Sequence, residues 1–199
     1  MNGERKYYGA GLKDVRAVGG AYPGVMTPDD LYDALCHVWC ADTCAPRMRE
    51  EWRDRHITWG QCSITAFLAQ DIFGGEVLGV PLEDGNCHCF NRVQGRCFDL
   101  TSEQFDGKAL DYSAGTLQSR ASHFGRAEKY ARYLLIKKRL LDHLDMVSRA
   151  KRIRQTASEV LRERRYADTE PEEDENTVDA GERYYPDGSV RYECSAEKL

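Results

Sequence analysis

The chain has 199 residues, 41% hydrophobic and 31% charged, with a net charge of -5 and eight cysteines. That length holds one well-cored domain with an appendage, or two small domains, and the balance of apolar and charged residues excludes disorder throughout. The acidic balance argues against bulk nucleic-acid binding and leaves only a local basic patch for it.

The first residues carry no apolar core of the kind a signal peptide needs, and no stretch approaches the roughly 20 apolar residues of a membrane span. Free thiols in a reducing cytoplasm are therefore expected, with metal binding as the competing use of eight cysteines. Residues 1–27 are Gly-rich and read as an irregular N-terminal arm. Thr27-Pro28-Asp29-Asp30 is a helix start, with an N-cap hydroxyl, a proline at the first helical position and two acids in the first turn. The helix should carry Leu31, Leu35, Val38 and Trp39 and end between Asp42 and Pro46. Cys36 and Cys40 would then be neighbours one turn apart, but a structural zinc needs four ligands and no closely spaced knuckle supplies them.

After a charged segment, 47–57, a second helix is expected to open at Cys62, with Ile64, Phe67, Leu68 and Ile72 on one face and Gly74-Gly75 as its stop. Three short strands follow, at 76–81, about 86–92 and about 96–101, the last two joined tightly by Val93-Gln94-Gly95. A long amphipathic helix from about Ala121 to Val147 carries the stripe Tyr133, Ile136, Leu140, Leu144 and Val147. The core domain is thus 28–147, followed by a basic helical extension (148–166), an acidic linker (167–182) read as disordered, and a C-terminal hairpin (183–199) around Pro186-Asp187-Gly188.

Cys62 is the first candidate for chemistry. A thiol at a helix N-terminus faces unpaired backbone N–H groups and the positive end of the dipole, which favour thiolate and can hold an oxyanion. A cysteine nucleophile also needs a base, and the base an orienting group. If Val93 and Arg96 flank a two-residue turn, Phe90 faces Asp99 and Arg92 faces Cys97 across the strand pair. His88 and Asp99 then share one face as diagonal neighbours, while Cys87, Cys89 and Asn91 point to the other. Asp99 equally suits a cap on Thr101 and Ser102, and His88 a buried core histidine. A metal held by Cys87-His88-Cys89 with Cys97 is opposed by the same alternation, which sends His88 away from its flanking cysteines.

Trp39 with Asp42-Thr43, Gly60-Gln61-Cys62 with Thr65-Ala66, Gln70-Asp71, Gly74-Gly75-Glu76, His88 with Asn91-Arg92, and Asp99-Leu100-Thr101 with Gln104-Phe105 resemble the small bacterial YunG-like family, over about residues 31–147. The order of cysteine on a helix start, histidine on a strand and acid on the next strand is similar to papain-like and transglutaminase-like thiol enzymes. The resemblance implies an α+β papain-like core, with the nucleophile helix packed on a small antiparallel sheet, and a charged helical C-terminal extension. It implies Cys62 as nucleophile, His88 as base and Asp99 as orienter, with Gln61, Trp59 and Asn91 as oxyanion or site support and no cofactor. Where the family carries bulky aromatics after the histidine, this chain has Cys89 and Phe90. Where papain-like enzymes place an oxyanion glutamine before the cysteine, it has His56 and Ile57, so Gln61 or the Cys62 backbone N–H must serve. The expected function is a cytoplasmic cysteine hydrolase or acyltransferase acting on a protein or peptide amide, isopeptide or thioester. The alternatives are a non-catalytic scaffold on the same fold whose C-terminal tail recruits a protein partner, and a zinc-stabilised binding module using Cys36, Cys40, Cys87, Cys89 or Cys97.

Overall fold

The computed structural model describes residues 5–52, 56–167, 183–184 and 190–191. Helix α1 (Pro28–Leu35) opens on a capping box: Thr27 Oγ1 accepts from the Asp30 N–H, and the Asp30 carboxylate accepts from the Thr27 N–H at 2.8 Å. It ends at Leu35, about two turns before the expected stop near Asp42. The chain tightens there, with His37 and Val38 donating to the carbonyls of Ala34 and Leu35, and Thr43 Oγ1 then takes the Cys40 N–H at 3.0 Å. Val38 and Trp39 are buried all the same, from turns rather than from a helix face.

Helix α2 (Cys62–Phe73) carries Ile64, Phe67, Leu68 and Phe73, all nearly inaccessible. Each such side chain contributes about 1.5–3 kcal/mol on burial. The helix packs on one face of a four-stranded antiparallel sheet, against Val77, Cys89, Val93 and Phe98. The strands are β1 (Glu76–Pro81), β2 (Cys87–Val93), β3 (Arg96–Phe98) and β4 (Thr116–Leu117), in the order β3-β2-β1-β4. Leu78, Val80 and Phe90 line the opposite face with Leu110 and Tyr112. The fold is thus α+β, with helices and a small antiparallel sheet.

The hairpin between β2 and β3 turns on Gln94 and Gly95, both left-handed at φ 50° and 78°, which is the two-residue turn that matches strand twist. Its register is Asn91↔Phe98, Arg92↔Cys97 and Val93↔Arg96. The third strand is shorter than expected. After Phe98 the Asp99 N–H donates to the Tyr8 carbonyl at 2.9 Å, and the Tyr8 N–H donates to Ser102 Oγ at 2.8 Å. The N-terminal segment thereby lies along the outer edge of β3, away from β2, and it buries Tyr7, Val15, Tyr22 and Val25 in the core.

The expected single helix from Ala121 is two, α3 (Arg120–Phe124) and α4 (Ala127–Ala167), separated at Gly125. Tyr133, Ile136, Leu140 and Leu144 are buried, whereas Val147 is 48% exposed. The helix runs some twenty residues past Val147 because no Gly or Pro interrupts it and strong helix formers dominate. Its i,i+4 pairs include Arg149–Asp145 and Gln155–Glu159. A compact unit extends to Ile153, and a second unit begins at Arg154. In the second unit Ile153's successors along α4 are exposed as far as Arg165, and β5 (Arg183–Tyr184) pairs antiparallel with β6 (Val190–Arg191). The acidic linker and the Pro186-Asp187-Gly188 turn lie outside the described residues. Among the described residues no helix is long and apolar enough to cross a membrane.

Candidate active site

Gly60 brings the chain into α2 at φ +68°, and a Cβ there would meet Cys44 Sγ at 2.6 Å, so the approach to the preceding loop requires glycine. Cys62 follows as the first residue of the helix, half-buried, on the wall of a cleft of about 680 Å³. Its backbone N–H lies in the first turn, where the helix supplies no acceptor.

His88 and Asp99 come together behind it. His88 Nε2 lies 2.6 Å from Asp99 Oδ2, and each side chain is 1% exposed. The carboxylate is saturated: Oδ1 accepts from the Thr101 N–H and hydroxyl, each at 3.0 Å, and Oδ2 also accepts from the Tyr112 hydroxyl at 2.8 Å. Asp99 therefore orients His88 and caps Thr101 at once. Burial, then the charge of Asp99, pushes the Tyr112 phenol up and keeps it a donor. With Nε2 committed to Asp99, Nδ1 is the nitrogen left for Cys62 and for a long contact from Gln104 Nε2 at 3.5 Å. Phe105 meets the imidazole edge-on, with ring centres 4.7 Å apart, and holds its plane.

The electrostatics of Cys62 follow from these neighbours. A hydrogen bond from the Cys89 thiol is the largest influence, burial opposes it, and the charge and hydrogen bond of His88 with the Cys89 backbone N–H complete the set, so that the thiol titrates well below its ordinary value. Burial would lower His88, but the charges of Asp99 and Cys62 and hydrogen bonds to both outweigh it and raise the imidazole to about 10. Both shifts favour a thiolate–imidazolium pair over a neutral thiol and imidazole. Strand pairing explains the Cys89 N–H. Val93 closes the hairpin as a hydrogen-bonded pair with Arg96, so the N–H groups of Val93, Asn91 and Cys89 all point toward the β3 side. The third strand stops at Phe98, and Cys89 offers its N–H to the nucleophile instead.

Trp59 lines the same cleft. Gln61 and Asn91 do not serve it. Gln61 is fully buried, and its amide donates to the Cys40 carbonyl at 3.0 Å, so the donor expected for an oxyanion is spent on the loop after α1. Asn91 points to the α2 face and donates to the Ala66 carbonyl at 2.9 Å, bracing helix on sheet.

His123 is a cleft residue that the sequence pattern did not single out. Lys129 Nζ, which has only donors, lies 3.3 Å from His123 Nδ1, so Nδ1 accepts and the neutral ring carries its proton on Nε2. Burial, then the charge of Lys129, lowers the imidazole to about 4 and keeps it neutral. The Nε2 atom is buried without a hydrogen-bond partner. The ring is held by Phe67 and Phe124, at centroid distances of 4.8 and 5.1 Å. Among the described residues all seven cysteines are free, and no group of three His, Cys, Asp or Glu side chains is arranged to hold a metal ion.

The chain belongs to the YunG protein family, whose model matches residues 27–145 and so contains every residue of this site. A curated relative from Bacillus subtilis (strain 168), described as "Uncharacterized protein YunG", is 36% identical over 55 residues, which are 28% of this chain and 47% of the relative. The chain thus spans about half the length of that relative. No solved structure matches.

Proposed function

We propose that this protein is a cysteine hydrolase or acyltransferase on a papain-like (transglutaminase-like) α+β fold, acting in the cytoplasm on an amide, isopeptide or thioester of a peptide or protein. The observation that carries the reading is the buried His88–Asp99 pair, at 2.6 Å, set behind a thiolate that lines an open cleft. In this reading Cys62 attacks the carbonyl carbon. The oxyanion is taken by the Cys62 backbone N–H and by His123 Nε2–H, a neutral donor that has no other partner. His88 Nδ1 gives its proton to the leaving amine or thiol, and Asp99 keeps the other ring proton on Nε2 so that Nδ1 alone exchanges. The acyl group on Cys62 then passes to water, deprotonated by His88, or to an acceptor amine.

Turnover of 4-nitrophenyl acetate tests the reading without a known substrate. One acetyl group per chain should appear on Cys62 in a burst and then be lost by hydrolysis, and His88→Asn should abolish the hydrolytic phase. Acetylation spread evenly over the thiols would overturn the assignment.

A further inference from the structure

Two thiols that take no covalent part in acyl transfer lie beside the nucleophile. Cys87 and Cys89 stand two residues apart on β2, on the face that α2 covers, and both line the cleft with Cys62. Cys89 is 5% exposed, and the space next to it is shaped for sulfur. Its cross-strand partner is Gly79, where a Cβ would collide with Cys87 Sγ, so the absent side chain lets Cys87 lie across the sheet beside Cys89. Cys89 hydrogen-bonds both other thiols, through one S–H that serves one of them at a time. Its hydrogen bonds to these two neighbours, and then burial, raise the Cys89 thiol, while Cys62 is lowered. A thiolate in an accessible cleft with a second thiol in hydrogen-bond contact is the arrangement that converts a peroxide into a disulfide.

We propose that Cys62 and Cys89 form a redox site in which a hydroperoxide oxidises Cys62 and Cys89 resolves it as an intramolecular disulfide. The Cys62 thiolate attacks one oxygen of the hydroperoxide, the O–O bond breaks, and the departing oxygen leaves as alcohol or water with the proton of His88. The Cys89 sulfur then attacks the Cys62 sulfenic acid. The S–O bond breaks, and the hydroxyl group leaves with the Cys89 proton as water. Two thiols have been oxidised and one peroxide reduced, and an external dithiol reverses the change. Closure requires the Cys62 and Cys89 sulfurs, which line one cleft, to come within about 2 Å of each other, by side-chain rotation on α2 and β2. The inference uses the thiolate of Cys62 but no acyl chemistry, so it stands or falls separately from the function proposed above.

The test is peptide mapping of the reduced full-length protein after brief exposure to hydrogen peroxide and blocking with N-ethylmaleimide. The expected product has lost two hydrogens, carries a Cys62–Cys89 cross-link, and returns to the free thiols with dithiothreitol. In Cys89→Ser the same treatment should leave Cys62 as a sulfenic acid, trapped by dimedone about tenfold more than in the wild type. Progress of wild-type Cys62 to sulfinic or sulfonic acid without a cross-link, or a cross-link joining any other pair, overturns the proposal. The wild-type map decides the question even where the serine variant folds poorly.

Discussion

Replacing His88 by asparagine asks how much of the Cys62 thiolate depends on the imidazolium. The Cys89 thiol and backbone N–H stay in place, so the thiol rises toward its ordinary value of 9.0 without the substitution removing every support. The size of the effect is set by two opposing trends. At about pH 6 each unit of rise removes roughly tenfold of the thiolate, but the thiolate that remains gains about threefold in nucleophilicity, for a Brønsted slope of about 0.4–0.5. The net loss is about three- to fourfold per unit. Complete reversion, across about three units between pH 6 and the ordinary thiol, would cost about 30- to 60-fold.

Site-resolved iodoacetamide alkylation across about pH 5 to 10 measures this directly. In the wild type Cys62 should react ahead of the other thiols at about pH 6. In His88→Asn its rate should climb with pH and overtake the wild type once both are fully ionised. Cys44, which burial pushes up to about 11, and Cys36, raised for the same reason, are internal references that should stay slow in both proteins. Superimposable profiles for the two proteins, or a Cys62 no faster than Cys36 and Cys44, would refute the thiolate–imidazolium pair.

Three further predictions follow from the same contacts. In a Cys87→Ser background, which removes the thiol lowered to about 7 by its hydrogen bond with Cys89, the His88–Cys62 pair should give a plateau in unfolding free energy between about pH 6.5 and 9. There the unfolded chain holds the cysteine proton and the folded chain the histidine proton, so the counts are equal; adding Cys62→Ala removes the cysteine's share of the rise and leaves Asp99 alone to hold His88 up against burial, so the plateau should be lost and stability should fall as pH rises above 6.5 for as long as Asp99 keeps the imidazole charged, at no more than about 1.4 kcal/mol per pH unit, read by urea unfolding. His123→Phe should slow acetylation of Cys62 by 4-nitrophenyl acetate by about 100-fold while leaving its alkylation rate unchanged, because only the acyl reaction develops an oxyanion; equal losses in both would assign His123 to the thiolate instead. Asn91→Ala should lower the unfolding free energy by about 1–3 kcal/mol by removing a buried hydrogen bond between β2 and α2, with the pH profile of Cys62 alkylation unmoved.

The parts of the site that can be read from the chain are those governed by local rules. A left-handed Gln94-Gly95 turn sets the hairpin parity, and parity alone places His88 and Asp99 on one face, so their 2.6 Å contact is a consequence of a dipeptide. The amides are different. Gln61 and Asn91 sit where the motif suggests site support, but an amide donates to whichever buried carbonyl lies nearest, and Cys40 and Ala66 are set beside them only by tertiary packing. Tyr112 comes from a short turn after β3, and His123 from α3, a helix of five residues too short for a periodic stripe to mark a side chain as facing a cleft. Cys89 shows the limit most clearly. Alternation puts it on the opposite face of β2 from His88, which is correct, and by that rule alone the two could not serve one nucleophile. They do so because β3 ends at Phe98, leaving the end of β2 uncovered where the start of α2 meets it. The thiolate is therefore assembled at an unpaired strand edge, where β3 ends at Phe98 and leaves the Cys89 N–H free for the cysteine at the start of α2.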